Sequence, residues 1–511
     1  MSDDNTTNPE WLIIILVYNH KYLDQLNGPT AGFIPMECQK NHLFNAFEDI
    51  KYNNNYKVVL VENRLEFFEE NKQIKVREVI NIVNKDPSRL DTVARHIPSD
   101  GDMTSSAKLS KLLKDIKSKV TAKKHALITF GHGSIFGINL ISSPNYSLQP
   151  VYNRLVDLSF CNQQPKSKDQ PTPTKVNILD KIDVNQYFVN NAATPEHFFN
   201  NDGSLKKELI GSREKILEEI DKDIILSNRD IAETIKDVYG KLDLLVMFNC
   251  LMQSVFTQFE LKDCVDYFVA PVSGISHPGF NYRGIFEALK AAQPPVGTQD
   301  LAMLFLSTIK DEKDKYYKKF QKDIDGTWKI VCKKLVPEQY VAIKKSFSDL
   351  MNEILLLKQQ GTRVFACLDQ TLGQCFNYAT YCLPSNEAQI DLLVFTTYLI
   401  EKINKGFSKF VNLKTAAVSL QQSLQAVQSS SFVGVSFFNS TDSFIDKKYF
   451  NLLNYGFGLT LQNSKYPPLS LQNQVYSQNP NLANCFPDFL NDGGSQPFLK
   501  FYDAFCDMNR V

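Results

Sequence analysis

Short apolar runs alternate with segments of helical spacing through the first half of the chain. WLIIILVY (Trp11 to Tyr18) and YKVVLVEN (Tyr56 to Asn63) are typical of strands buried on both faces. From Thr104 to Val120, leucine and isoleucine recur every three or four residues, which predicts an amphipathic helix. This helix leads into a predicted strand over Ala126 to Phe130. Strands and helices in this order predict an α/β fold with a mainly parallel central sheet.

The alternation is interrupted in the middle of the chain and then resumes. Residues 141–212 are rich in Asn, Gln, Pro, Lys and Ser, and the part from 163 to 175 has no apolar periodicity. We therefore predict an insertion there that includes an exposed, mobile loop. The elements predicted after it are a helix over Ser227 to Tyr239, a strand over Leu242 to Phe248, a helix from Leu251 to about Lys262, a strand over Asp266 to Pro271 and a helix from about Tyr282 to Ala292.

A different pattern begins near residue 296. Long helices are predicted at roughly 300–324, 336–360 and 387–428, and a tail of β character follows at 432–440 and 456–462. We therefore predict an α/β domain over residues 1–296. The remaining residues, 297–511, are predicted to form a mainly helical C-terminal region with a short β-rich tail.

Composition excludes several classes of protein. The 511-residue chain is 43% hydrophobic, enough for a sizeable core, and its 56 basic and 56 acidic side chains cancel. This balance gives no reason to expect nucleic acid or an acidic membrane as a partner. The eight-residue run Trp11 to Tyr18 is far short of the ~20 residues that span a bilayer. Because the acidic start also lacks a signal-peptide pattern, we predict a cytoplasmic protein, while a non-classical route of secretion stays open.

The ten cysteines do not form a recognisable framework. No CxxC pair occurs among them, so a structural zinc site is not expected and no metal ligand is predicted. Cys264 is predicted to pack in the core, and the spacings among Cys367, Cys375 and Cys382 suit buried helical positions. Most of the cysteines are therefore predicted to be reduced, buried thiols.

Two segments combine a reactive side chain with the carboxyl end of a predicted strand, which is where open α/β sheets carry their sites. One is GHGS, which contains His132 and Gly133, and the other is FNCLMQS, in which Cys250 follows the strand. A thiol at a helix N-terminus has a lowered pKa, and a neighbouring histidine can act as its acid and base. The backbone N–H groups of Gly133 and Cys250 could together form an oxyanion hole. The residues by themselves also allow a buried structural thiol and a histidine in a turn.

The order of these elements and several local words resemble the clostripain family of cysteine peptidases, in the clan of caspases, gingipains, legumain and separase. The resemblance covers about residues 10 to 292. It includes ILVYNHKYLDQLN after the first strand, VVLVENR in the second strand and a strand that ends in HALITFGHGS. Its most specific part is the Cys-Leu-Met of LDLLVMFNCLMQS, which is followed by a helix and a strand.

The resemblance implies a caspase-like α/β/α sandwich and hydrolysis of peptide bonds through a thioester acyl-enzyme. It assigns Cys250 as the nucleophile, His132 as the general acid and base, and Gly133 as an oxyanion donor. It further implies a zymogen that is cleaved between the His and Cys strands, where the insertion at 141–212 lies. No cofactor is required by this chemistry, and a calcium requirement stays open because family members differ in this respect.

The family's substrate specificity does not carry over to this chain. Two residues before the nucleophile, many members have an Asp that pairs with a basic P1 side chain, whereas this chain has Phe248 followed by Asn249. The loop PVSGISHPGFNYRG also lacks a carboxylate, and its Ser273 is predicted to bind substrate together with Phe248 and Asn249. We therefore predict an apolar specificity pocket. Glu62, predicted on the loop after the second strand, is a candidate substitute carboxylate.

We therefore predict a cysteine endopeptidase that acts on protein or peptide substrates. The first alternative is a catalytically inactive caspase-like scaffold, and the second is a Cys-dependent hydrolase of non-peptide amides or esters. The size of the C-terminal region also suggests that it could bind a regulatory partner.

Overall fold

The computed structural model confirms the predicted α/β fold class: the described residues form a mixed sheet with mainly parallel strands, flanked by helices. The described residues are 8–19, 55–68, 73–82, 91–93, 106–131, 133–134, 137–140, 224–249, 252–272, 282–308, 328–359, 389–406, 408–428, 431–437, 458–460 and 488–490. The chain divides into two compact units. The first comprises residues 1–131, 141–191 and 276–325, and the second comprises 132–140, 192–275 and 326–511.

The first unit contains five strands in the order β5-β1-β2-β3-β4. They are β1 (Trp11–Asn19), β2 (Tyr56–Phe68), β3 (Gln73–Ile82), β4 (Asp91–Val93) and β5 (Lys124–Phe130). β1 pairs in parallel with both β2 and β5, and Ile14 faces Val59 on one side and Leu127 on the other. β2, β3 and β4 continue the sheet as antiparallel neighbours. The parallel strands are thus the apolar runs that the sequence pattern predicted.

Burial explains why β1 is apolar at nearly every position. Residues from Trp11 to Tyr18 are at most 4% exposed, because both faces of a parallel strand are covered. The helices described in this unit are α1 (Ser106–Lys119), α4 (Tyr282–Ala291) and a further helical stretch over residues 298–308. The backbone of Val296 is bound at two points: its carbonyl accepts the Trp11 indole N–H at 3.0 Å, and its N–H donates to the Tyr56 hydroxyl at 3.0 Å.

The described residues of the second unit form four strands in the order β13-β11-β10-β9, and two small sheets. The four strands are β9 (Leu242–Phe248), β10 (Val265–Pro271), β11 (Trp328–Lys334) and β13 (Ser431–Phe437). The small sheets consist of β6 (Gly133–Ser134), β7 (Gly137–Leu140) and β8 (Ile224–Ser227), and of β12 (Gln389–Asp391) and β14 (Gly458–Thr460). β9 and β10 are parallel, while β10, β11 and β13 are antiparallel neighbours.

Three of the five helices described in the second unit begin at capping residues. The five described helices are α2 (Asn228–Tyr239), α3 (Val255–Leu261), α5 (Pro337–Gln359), α6 (Leu392–Gly406) and α7 (Val411–Gln428), and a 3₁₀ turn spans Asp488–Leu490. Ser227 and Asp230 form a reciprocal capping box at α2. Asp391 accepts the N–H groups of Leu393 and Val394 at 2.9 and 3.1 Å, which caps α6.

Several predicted elements differ from the observed ones. The helix predicted from Leu251 begins at Val255, and the helix predicted over 387–428 is two helices, α6 and α7, of which α6 ends at Gly406. The strand β11 was not predicted, because the three lysines in WKIVCKK hide its apolar positions. Glu62 was predicted on a loop, and this is wrong: β2 continues to Phe68 through its pairing with β3, so Glu62 lies inside the strand.

The predicted boundary near residue 296 stays a prediction, although each compact unit takes segments from both sides of it. The predicted insertion at 141–212 lies outside the described residues. No described helix is long and apolar enough to cross a membrane.

Candidate active site

β9 carries the chain toward the predicted nucleophile. Its residues from Leu244 to Met247 are fully buried, Phe248 at its end is 3% exposed, and the following Asn249 is fully buried. Cys250 is the next residue and lies outside the described residues. The predicted position of the nucleophile, directly after a buried parallel strand, thus rests on a strand that the structure contains.

His132 and Ser273 also lie outside the described residues, but their surroundings are partly described. Gly133 begins β6 and pairs with Ile138 of β7. Gly137 has a φ of +152°, and a Cβ atom there would lie 2.1 Å from the carbonyl oxygen of Leu226. The close packing of β7 on β8 therefore requires glycine at position 137.

The segment after Cys250 is held before α3 begins. The Gln253 N–H donates to the carbonyl of Pro271 at the end of β10, at 2.8 Å. Ser254 is the N-cap of α3, where its side chain accepts the Thr257 N–H at 3.1 Å. Cys250 therefore precedes the N-cap of α3 by four residues in the sequence.

A buried polar cluster lies under α3. Lys333 of β11 is fully buried, and its ammonium donates to the side-chain oxygen of Gln258 in α3 at 2.9 Å. The Tyr340 hydroxyl of α5 donates to the same oxygen at 3.1 Å. Burial lowers the pKa of Lys333 well below its ordinary range, and the charge of Asp391 opposes this shift. The cluster thus joins α3, β11 and α5, with the start of α6 close enough to act on Lys333 electrostatically.

Two cysteines in this unit are chemically protected. Cys264 and Cys332 are at most 2% exposed and form no disulfide. Burial raises the pKa of each thiol to about 12, so the reactive thiolate is scarce at neutral pH. Cys264 is a packing residue, as predicted.

Four residues are predicted to bind substrate, and the structure describes three of them, Phe248, Asn249 and Glu62. Phe248 and Asn249 are buried at the end of β9, where the predicted pocket floor would begin. Glu62 lies in β2 of the first unit, paired between Val17 and Val79. Contact of any of them with substrate stays a prediction.

Sequence reasoning missed the residues that hold the segment after Cys250. Ser254 and Thr257 carry a recognisable N-cap pattern, and Asp391 before an apolar run is a similar signal. Lys333 and Gln258 have no such signal, because only the packing of β11 under α3 brings them together. Gln253 is fully buried, and neither of its side-chain amide atoms has a hydrogen-bond partner in the described structure.

No group of three or more His, Cys, Asp or Glu side chains in the described part of the chain is placed to hold a metal ion.

The sequence model of the clostripain family matches residues 217–441. This range contains Cys250 and Phe248, whereas His132 lies before it. No curated protein sequence matches the chain significantly.

Several solved protease structures are similar to the chain over most of its length. An inactive zymogen C11 protease from Parabacteroides distasonis is 10% identical, with a TM-score of 0.45, and the match covers 94% of this chain and 99% of that one. A secreted C11 cysteine protease from Bacteroides thetaiotaomicron is 10% identical, with a TM-score of 0.46 over 94% and 100%. A structure of such a protease with an irreversible peptide inhibitor is 12% identical, with a TM-score of 0.43 over 93% and 99%. Scores this low transfer neither details of the fold nor activity to this chain.

Proposed function

Residues 217–441 match the clostripain family of cysteine-type peptidases, and from this premise we propose that the protein is a cysteine endopeptidase with Cys250 as its nucleophile. The single observation that carries the proposal is that the match contains Cys-Leu-Met directly after the buried parallel strand β9. In the described structure this strand ends at Phe248, two residues before Cys250.

The proposed reaction has two steps. His132 takes the proton of the Cys250 thiol, the sulfur attacks the carbonyl carbon of the scissile peptide bond, and His132 delivers this proton to the leaving amine as the C–N bond breaks. His132 then takes a proton from water, the oxygen of that water attacks the thioester, and His132 returns the proton to the Cys250 sulfur as the C–S bond breaks and the carboxylic acid leaves. The N–H groups of Gly133 and Cys250 stabilise the oxyanion that forms in each step. These side chains and backbone groups suffice for the reaction, so it needs no cofactor.

Variants of the two reactive residues test the proposal. Cys250→Ala is expected to abolish peptide hydrolysis, and His132→Ala is expected to lower kcat by orders of magnitude without unfolding the protein. Normal activity in either variant would disprove the assignment. A fluorogenic peptide library distinguishes peptidase activity from hydrolysis of other amides or esters.

Selective alkylation provides a test that needs no substrate. Iodoacetamide at neutral pH is expected to label Cys250 rapidly and to spare Cys264 and Cys332, because burial raises the pKa of both latter thiols to about 12. Slow labelling of Cys250, equal to that of the buried thiols, would favour the inactive scaffold.

The finer parts of the proposal concern specificity and regulation. Phe248 in place of an acidic residue supports an apolar pocket that rejects Arg and Lys at P1, because a buried guanidinium would lose its water without gaining an ion pair. Phe248→Asp is expected to raise activity on P1-Arg substrates relative to neutral ones, and an unchanged ratio would show that Phe248 does not face the substrate. Activation by cleavage within 160–176, a regulatory partner of the C-terminal region and the cytoplasmic location stay predictions.

A further inference from the structure

A short segment near the C-terminal end of the chain is bound to α3, the helix that follows the predicted nucleophile. This segment, Asp488–Leu490, is called the latch below. Its Phe489 is 2% exposed and packs against three aromatic rings, two from α3 and one from α5. The ring centroids lie 5.8 Å from Phe256, 5.6 Å from Phe259 and 5.3 Å from Phe347. These separations are typical of favourable aromatic contacts.

Asp488 uses all of its polar groups to bind three helices. Its N–H donates to a carboxylate oxygen of Glu260 in α3 at 2.8 Å, and its carbonyl accepts from the ammonium of Lys344 in α5 at 2.6 Å. Its carboxylate pairs with Arg229 of α2. Partial burial raises the pKa of the Glu260 carboxyl, and the hydrogen bond from the Asp488 N–H opposes this shift. The latch is therefore held by both apolar and directed polar contacts.

The helix that the latch binds cannot fix its own position. α3 has seven residues, and a helix of this length is not stable by itself. Its N-terminal end is held by the Ser254 cap and by the hydrogen bond from Gln253 to Pro271. The face that carries Phe256, Phe259 and Glu260 meets the latch. The position of α3, whose N-cap follows Cys250 by four residues in the sequence, therefore depends on a segment more than two hundred residues away.

We propose that Asp488 and Phe489 are positioning residues for the nucleophile: they hold α3 so that the segment after Cys250 keeps its reactive geometry. This inference rests on the proposed role of Cys250. It predicts that loss of the latch lowers the reactivity of the thiol and kcat, and changes KM little, because no latch residue is assigned to substrate binding. A latch that only stabilises the fold would instead lower the unfolding temperature and leave the folded enzyme fully active.

Variants of the full-length protein separate these outcomes. Phe489→Ala removes the anchor, Phe489→Leu keeps part of it, and Asp488→Ala removes the carboxylate. The matched control is Phe395→Ala in α6, a side chain that is equally buried, at 1% exposed. Three quantities are measured well below the unfolding temperature: kcat, KM and the rate constant for alkylation of Cys250.

We expect Phe489→Ala to lower kcat and the alkylation rate together by tenfold or more, with KM within about threefold of wild type. Phe489→Leu is expected to have a kcat and an alkylation rate between those of wild type and Phe489→Ala. This variant serves as the test if Phe489→Ala does not fold. Phe395→Ala is expected to lower thermal stability without lowering the alkylation rate. Equal thermal losses in all variants with unchanged alkylation would overturn the positioning role. That result is distinct from failure of the proposed function, in which Cys250→Ala would leave wild-type hydrolysis intact.

Discussion

On one side of α3, Phe256 and Phe259 pack against Phe489, while on the other side the side-chain oxygen of Gln258 accepts hydrogen bonds from Lys333 and Tyr340. At about 100° per residue, Gln258 lies about 200° around the helix from Phe256 and about 100° from Phe259, outside the face that the two rings share. The aromatic side gains free energy from burial of apolar area and tolerates small shifts. The polar side gains little net free energy, since burial of the ammonium is costly, but its hydrogen bonds define one arrangement. We infer that the aromatic contacts of α3 stabilise the fold, and that the hydrogen bonds of Gln258 fix the orientation of α3 against β11 and α5.

The largest effect is expected on the aromatic side. Phe256 is 1% exposed, so Phe256→Ala should lower the free energy of unfolding by about 3–5 kcal/mol through lost burial and the cavity it leaves. Denaturant titration measures the loss. Val411→Ala, at a side chain that is 64% exposed, is the control and should change stability by less than about 0.5 kcal/mol. A loss under about 1 kcal/mol for Phe256→Ala would mean that the aromatic side does not carry stability.

A smaller loss of stability is expected when the hydrogen-bond acceptor Gln258 is removed from the polar side. Gln258→Leu leaves the buried Lys333 ammonium without that hydrogen bond, which should cost about 1–3 kcal/mol. Gln253 offers a matched control, because it is equally buried but its amide atoms have no hydrogen-bond partner in the described structure. Gln253→Leu should therefore be neutral or stabilising. If both variants lost the same amount in urea titration, the Gln258 hydrogen bonds would not be the cause.

The buried Lys333 should also make the free energy of unfolding depend on pH. Burial lowers the pKa of Lys333 well below 10.5, so between its folded pKa and about 10.5 the unfolded chain binds one more proton than the folded protein. Stability from this group therefore rises with pH in that window and is lost as pH falls through the folded pKa. Relative to Lys333→Met, the wild type should gain up to about 1.4 kcal/mol per pH unit. Chemical denaturation of both proteins from pH 7 to 10 measures the difference.

Other titrating groups cancel in that difference, since both proteins share them. Gln258 accepts a hydrogen bond from Lys333, Tyr340 donates to the same oxygen and Asp391 acts on Lys333 electrostatically, and none of these three residues is altered. A constant difference between wild type and Lys333→Met across the range would show that Lys333 keeps an ordinary pKa.

The smallest effect is expected at the rim of the aromatic side. Arg229 and Asp488 are 27% and 49% exposed, so water and salt screen their attraction. Arg229→Gln should therefore lower stability by less than about 1 kcal/mol, and the loss should shrink at high salt. The more exposed pair of Lys345 and Asp349 is the control, and Lys345→Gln should have almost no effect. A loss above about 2 kcal/mol that is insensitive to salt would place Arg229 among the structural anchors.

The helices and strands whose burial is uniform along their length could be predicted from the sequence alone. β1, β9 and α1 were predicted closely, because a strand covered on both faces must be apolar throughout and an amphipathic helix repeats every 3.6 residues. The sequence also indicated the segment that matches the clostripain family model, since Cys-Leu-Met after a buried strand is a local pattern. These features need only neighbours along the chain.

Contacts between residues that are far apart in the sequence could not be predicted and are known only from the tertiary structure. Lys333 is buried because β11 pairs between β10 and β13 and lies under α3, and nothing in WKIVCKK distinguishes Lys333 from the other two lysines of the strand. Glu62 lies inside a strand because β3 extends β2 by pairing with it. Asp488 and Phe489 reach α3 across more than two hundred residues, and periodicity carries no information at that separation. Local pattern fixes where a chain is apolar, and only packing fixes which surfaces meet.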